Sequence, residues 1–271
     1  MSKKDLGEMS FLDHLEALRW VLIRSSLAIV IGACVSFFFI DFIFDTIIFG
    51  PKNPDFITYR FFCELGKSFG ADEGMCIQEL NFNIQSRQVG SQFAATIWMG
   101  ITAGFIISFP FILWEFWKFV RPALYEKEKK NAKWFIIIAS ILFFIGVLFG
   151  YFITAPLSIN FLGNYSVSNH VHNDFDIDSY IGLIKTSALS CGLIFELPIL
   201  MFFLGRLGVV SAEFLKNYRK IAYVLILIVA AIITPPDVVS QIVVSIPLII
   251  LYEASIYIVK WVTKKQTLSK L

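Results

Sequence analysis

Glu196 is the residue in this chain whose chemistry most needs a reason. It stands between Gly192 and Pro198, in an apolar run long enough to cross a membrane. A carboxylate facing lipid there is costly, so it has to face protein or a water-filled cavity. It is either a neutral, hydrogen-bonded structural acid or a polar contact for a ligand or partner. The second is preferred, because ionisable groups inside spans serve function by default. Pro198 loosens the same helix by freeing a backbone carbonyl. Gln241, one turn from Asp237, is polar within another apolar run, and either role is open to it. Glu253 reads as structural, snorkelling to the membrane surface or pairing with Lys260.

Outside the apolar runs, charged groups gather in two short stretches. Glu126 and Glu128 sit among Lys127, Lys129, Lys130 and Lys133, ordinarily the pattern of a solvated charge run. Pro122 ends one structure, and the acids after it favour a new helix start. Earlier, Ser10 to Asp13 is a capping-box pattern. Phe11, Leu15, Leu18 and Leu22 then make one stripe at helical spacing, with Asp13, Glu16 and Arg19 elsewhere around the helix. Residues 1–19 read as a cytoplasmic amphipathic entry helix. The chain has no His-Glu-x-x-His, no Gly-x-Ser-x-Gly, no phosphate-binding glycine loop and no Cys-x-x-Cys. His170 and His172 are a weak metal signal and read as loop residues. No enzyme activity, cofactor, metal or nucleic-acid partner is expected.

The elements that must position these residues follow from composition. Of the 271 residues, 57% are hydrophobic and 16% charged, against roughly 25% charged in soluble domains. Apolar runs occupy residues 20–40, 93–114, 134–153, 181–204, 221–234 and 238–259. A span needs about 20 residues, so the fifth run is short, reaching about 21 Å at 1.5 Å per residue. Either the bilayer thins there or the last two runs form a shallow hairpin. A genuine pair of spans is preferred, joined at the turn Thr234, Pro235, Pro236 and Asp237. The expected fold is an all-α integral membrane protein with six transmembrane helices in 20–259, loops at 41–92, 115–133, 156–180 and 205–220, and a tail at 260–271.

Lys and Arg concentrate before the first run, in 115–133, in 205–220 and after 259, whereas 41–92 and 156–180 are rich in acids. The positive-inside rule then puts both termini in the cytoplasm. Asp41 and Asp45 share one side of a helix among apolar residues, predicting an interfacial helix in the first external loop. Cys63 and Cys76 lie in that loop, an oxidising setting in bacteria, and a disulfide is favoured over two free thiols. Cys34 and Cys191 read as packing residues. The first 20 residues lack a cleavable leader pattern, so the first run reads as an uncleaved signal anchor.

Four stretches, in order, carry a resemblance. The first is Phe11, Leu12, Asp13, His14, Leu15, Leu18 and Arg19; the second is Phe119, Pro122, Ala123, Leu124, Tyr125, Glu128 and Lys129. The third is Phe195, Glu196 and Pro198, and the fourth Thr234, Pro235, Pro236, Asp237, Ser240 and Gln241. On a six-span pattern these resemble the TatC family, the multispanning receptor subunit of the twin-arginine protein translocase. The resemblance implies binding of Arg-Arg signal peptides at the cytoplasmic face and export of folded proteins across the bacterial inner membrane. It implies an oligomeric complex with single-span TatA- and TatB-type subunits, held in membrane lipid. It assigns Glu128, Glu126, Glu16, Arg19, Leu18 and Tyr125 to the signal peptide, and Glu196, Gln241 and Asp237 to intramembrane partner contacts. Phe119, Pro122, Ala123, Leu124, Pro198, Pro235 and Pro236 are implied to be structural.

The chemistry suits that assignment. A guanidinium forks two hydrogen bonds onto a carboxylate, whereas Lys offers a point charge. The lysines around Glu128 would deter generic cations. One position departs from the pattern: an acid commonly stands two residues before the Arg matching Arg19, and here that residue is Ala17. Either Glu16, about 100° away around the helix, substitutes, or Glu126 and Glu128 bind arginine alone. The rival reading is an ion-coupled small-molecule transporter using Glu196, a class that usually shows repeated halves and further midplane charges. A purely structural scaffold is the third.

Overall fold

The computed structural model describes residues 11–68, 80, 82–120, 132–168, 170, 173–234 and 238–268. The apolar runs become helices that mostly overrun them. Helix α1 is Phe11–Phe37, and α2 is the short Ile40–Phe42, which opens into a π turn at Ile43–Ile48. Then come α3 at Ile57–Ser68, β1 at Phe82–Gln85 and α4 at Ser91–Val120. Helix α5, Ala132–Phe149, passes through a π turn at Gly150–Thr154 into α6, Ala155–Asn164. Strand β2 is Asn173–Asp176; α7 is Ile177–Ile194 and α8 is Leu197–Arg206. Helix α9 is Ala212–Asn217, α10 is Arg219–Ile233 and α11 is Val238–Leu268.

Among the described residues, five stretches are long and apolar enough to cross a membrane: His14–Phe37, Ser91–Val120, Trp134–Asn164, Ile177–Arg206 and Val238–Thr263. The remaining run forms α10, whose 15 residues reach about 22 Å, packed along α11. Helices overrun the apolar runs because hydrogen bonding continues through polar side chains until Gly or Pro stops it. So α4 carries Glu115 and Lys118 on to Val120, six residues past the expected end of the span at Trp114. Likewise α1 runs unbroken through Arg19 and Trp20, joining the expected entry helix to the first span.

The chain divides into two compact units, residues 1–43 with 93–141 and residues 44–92 with 142–271. In the first, α1 and α4 run antiparallel with their backbones in contact. A Cβ on Gly104 would lie 2.4 Å from the Ala33 nitrogen, and one on Gly32 would lie 2.8 Å from the Gly104 carbonyl oxygen. The Ser108 hydroxyl donates to the Ala28 carbonyl at 2.8 Å, and Phe37 lies against Gly100. Hydroxyls elsewhere in the spans turn back onto their own helix, Thr102 to Trp98 and Ser36 to Gly32, both at 2.8 Å. That satisfies polar groups where water is absent.

In the second unit, Gly150 meets α7 so closely that a Cβ would sit 2.4 Å from the Ser187 carbonyl oxygen. A buried cluster of Phe195, Leu215, Ile226, Ala230, Val244 and Leu248 joins the end of α7 to α9, α10 and α11. Around the loop segments, phenol hydroxyls satisfy carbonyls at the ends of short helices. Tyr59 donates to Pro51 at 2.9 Å, Tyr151 to Ile47 at 2.7 Å and Tyr180 to Ile48 at 3.0 Å. Burial pushes the Tyr59 phenol above its ordinary range. The expected helix around Asp41 and Asp45 is present as α2 and its π turn, with both acids exposed. Sequence reasoning did not foresee α3 or the parallel pairing of β1 with β2, in which the tilted rings of Phe82 and Phe175 lie 4.7 Å apart.

Two glycines should respond oppositely to one methyl group. Gly104→Ala should lower stability in detergent by about 1–3 kcal/mol, because backbone atoms occupy the space. Gly182→Ala, with nothing within 4 Å, should be neutral or stabilising by up to about 1 kcal/mol. Denaturant titration of both variants checks the pair.

Candidate functional site

In the first unit, the register set at Gly32 and Gly104 carries through to the start of α1 and the end of α4. Contacts run down α1 and up α4, from Ala28 with Ser108 to Arg24 with Glu115 and His14 with Phe119. The rings of His14 and Phe119 are 4.3 Å apart. Glu16, Leu18 and Arg19 are exposed on the same end of α1. Leu15 and Leu22, from the expected apolar stripe, are exposed as well, so that stripe is open to lipid or a partner. Pro122, Ala123, Leu124, Tyr125, Glu126 and Glu128 lie outside the described residues, immediately after the Phe119 turn.

Sequence reasoning missed Glu115 by assigning it to a loop. Its carboxylate accepts from Arg24 Nη1 at 3.2 Å on one oxygen and from Lys118 on the other. The acid is 3% exposed, whereas Arg24 and Lys118 are about half exposed. Each cation also lies over a tryptophan, Arg24 at 5.9 Å from Trp20 and Lys118 at 5.7 Å from Trp114. The available signal was an acid three residues before a lysine, with a basic residue in the first span to meet it.

In the second unit, Glu196 lies at the break between α7 and α8, two residues before Pro198. The proline stands in the first turn of α8, where its missing N–H costs nothing. Glu196 Oε1 is enclosed and has no hydrogen-bond partner among the described residues. Gln241 donates from Nε2 to the Leu227 carbonyl at 3.1 Å, tying α11 to α10. Pro235, Pro236 and Asp237 fall outside the described residues; Thr234 before them is buried and donates to the Ala230 carbonyl.

Two side chains depart from expectation. Glu253 pairs with Arg219 at 2.8 Å and accepts from the Tyr223 hydroxyl at 2.6 Å, rather than pairing with Lys260. The α10–α11 packing brings Arg219 to it, which spacing within one helix does not reveal. Cys34 is exposed on α1 rather than packed, whereas Cys191 is buried. Cys63 is not a free thiol, and Cys76 lies outside the described residues. His170 is exposed, and His172 also lies outside them.

The family model for the Sec-independent protein translocase protein, TatC, matches residues 13–247. The chain belongs to the TatC family. A TatC of Blattabacterium is 45% identical over 97% of this chain and 100% of its own length. TatCy of Bacillus subtilis is 33% identical over 98% of this chain and 94% of its own. A crystal structure described as the twin-arginine translocase receptor TatC superposes with a TM-score of 0.69 at 31% identity, covering 92% of this chain and 99% of that one. As a TatC-family protein, the chain is a multispanning membrane component of the Sec-independent translocase, a transport subunit.

The Glu253 contacts predict a graded response. Tyr223→Phe should cost about 1 kcal/mol, and Arg219→Ala more, because it strips the carboxylate of its cation. Lys260→Ala should leave stability within about 0.5 kcal/mol of wild type. Unfolding in detergent measures all three.

Proposed function

We propose that this chain is the receptor subunit of its translocase. It binds Arg-Arg signal peptides at a cytoplasmic face formed by the start of α1 and the segment after α4. Both termini lie in the cytoplasm, and the membrane is the bacterial inner membrane. The observation that carries this reading is the antiparallel register ending at His14 and Phe119. It brings the exposed Glu16, Leu18 and Arg19 beside the element that leads into Tyr125, Glu126 and Glu128. Adjacent guanidiniums need two carboxylate forks at short range, and acids from two chain segments supply them. Glu128 is the principal fork, with Glu126 and Glu16 supporting it.

Glu196 serves a different step. Its unpartnered oxygen can accept a donor from an inserted helix, a single-span partner subunit or the signal peptide. Gln241 and Asp237 are further polar contacts for such partners. In the external loop, Cys63 and Cys76 form a disulfide. No contact described above favours the small-molecule transporter over this reading.

Glu128→Gln should weaken binding of an Arg-Arg peptide about tenfold or more, the loss of one charge-assisted fork; unchanged affinity by titration removes that role. Glu196→Ala should leave peptide binding intact while stopping export into inverted vesicles; full export would make Glu196 a structural acid. Mass spectrometry of a non-reduced digest should find Cys63 linked to Cys76, and two alkylatable thiols there would refute the bond.

A further inference from the structure

We infer that Glu115, held between Arg24 and Lys118, is a positioning residue that fixes the spacing of the two signal-peptide-binding segments. The inference rests on the receptor reading above. Glu115 is too enclosed to meet a ligand, at 3% exposure, and both its oxygens are already engaged. Its place along the helices gives it leverage. The backbone contact at Gly32 and Gly104 is a close crossing without side chains between the helices. From Ala33 to His14 is 19 residues of unbroken α1, about 28 Å of lever. A change of about 10° at the crossing would displace His14 by about 5 Å over that length.

Glu115 lies between the pivot and the ligand end, one turn before Phe119 on α4, opposite Arg24 on α1. Lys118 holds the second oxygen from within α4, so the carboxylate is aimed at α1 rather than free to rotate. An enclosed carboxylate stripped of its cations is strongly unfavourable, so the helices are held together where they would otherwise splay. The lock thereby fixes how far Glu16 and Arg19 stand from Phe119, where α4 leads into the second segment. That distance decides whether two adjacent guanidiniums are gripped at once.

The test uses the full chain in lipid, with Cys34→Ala to remove the exposed thiol. One readout is the rate of disulfide formation between His14→Cys and Phe119→Cys. The other, without those two cysteines, is the affinity ratio for Arg-Arg over Lys-Lys peptide. Glu115→Gln should slow the crosslink and lower the ratio, each by roughly tenfold. Arg24→Lys, which keeps a cation on the carboxylate, should retain both values. Arg24→Ala with Glu115→Gln should be no worse than Glu115→Gln alone, since both act through one bond. A wild-type crosslinking rate in Glu115→Gln or in Arg24→Ala overturns the lock, as do additive effects in the double variant. If the unmodified protein does not discriminate the peptides, the receptor reading fails, and the crosslinking rate still decides the lock by itself.

Discussion

Inside hydrocarbon no water is available, so each polar group has to find its partner within protein. That constraint explains most of what the polar side chains of this molecule do. Ser36, Thr102, Ser245 and Ser255 each donate to a carbonyl one turn back on their own helix. Glu253 takes Arg219 and Tyr223, and Glu115 takes Arg24 and Lys118. Against that background an enclosed carboxyl oxygen on Glu196, without a partner among the described residues, is informative. It is the kind of group a neighbouring helix would complete.

The same constraint makes helix spacing a source of precision. Where backbones touch at Gly32 and Gly104, and at Gly150 with Ser187, side chains cannot slip past one another. Helices so close are fixed in register, and register decides which residues meet at their ends. In the first unit that end holds His14 and Phe119, and the exposed charges of α1 lie beside the exit of α4. A methyl group at a glycine inside the span can therefore affect the His14–Phe119 contact about 28 Å away.

Much of this was legible in the sequence because its signals are local. Apolar runs gave the spans, and Glu196 announced itself as an acid in the middle of one. Asp41 and Asp45 correctly marked a helix after the first span. What escaped depended on contacts between distant segments or on where a helix stops. Glu115 was assigned to a loop because hydropathy falls after Trp114, although helical hydrogen bonding runs on to Val120. Glu253 was read as snorkelling or pairing with Lys260 within one helix, whereas Arg219 reaches it from another. Cys34 looked like packing, yet a residue in a membrane helix can be apolar and still face outward. The acids at Glu126 and Glu128 lie outside the described residues, so their role rests on chemistry and on the position of Phe119.

We propose that the start of α1 and the segment after α4 together read paired arginines. The most direct test is photo-crosslinking of the reconstituted protein to a signal peptide carrying a photoreactive group beside Arg-Arg, with a Lys-Lys peptide as control. Labelling should map to both residues 14–19 and residues 119–128, and the Lys-Lys peptide should largely lose it. Equal labelling by the two peptides, or labelling confined to neither segment, would contradict it.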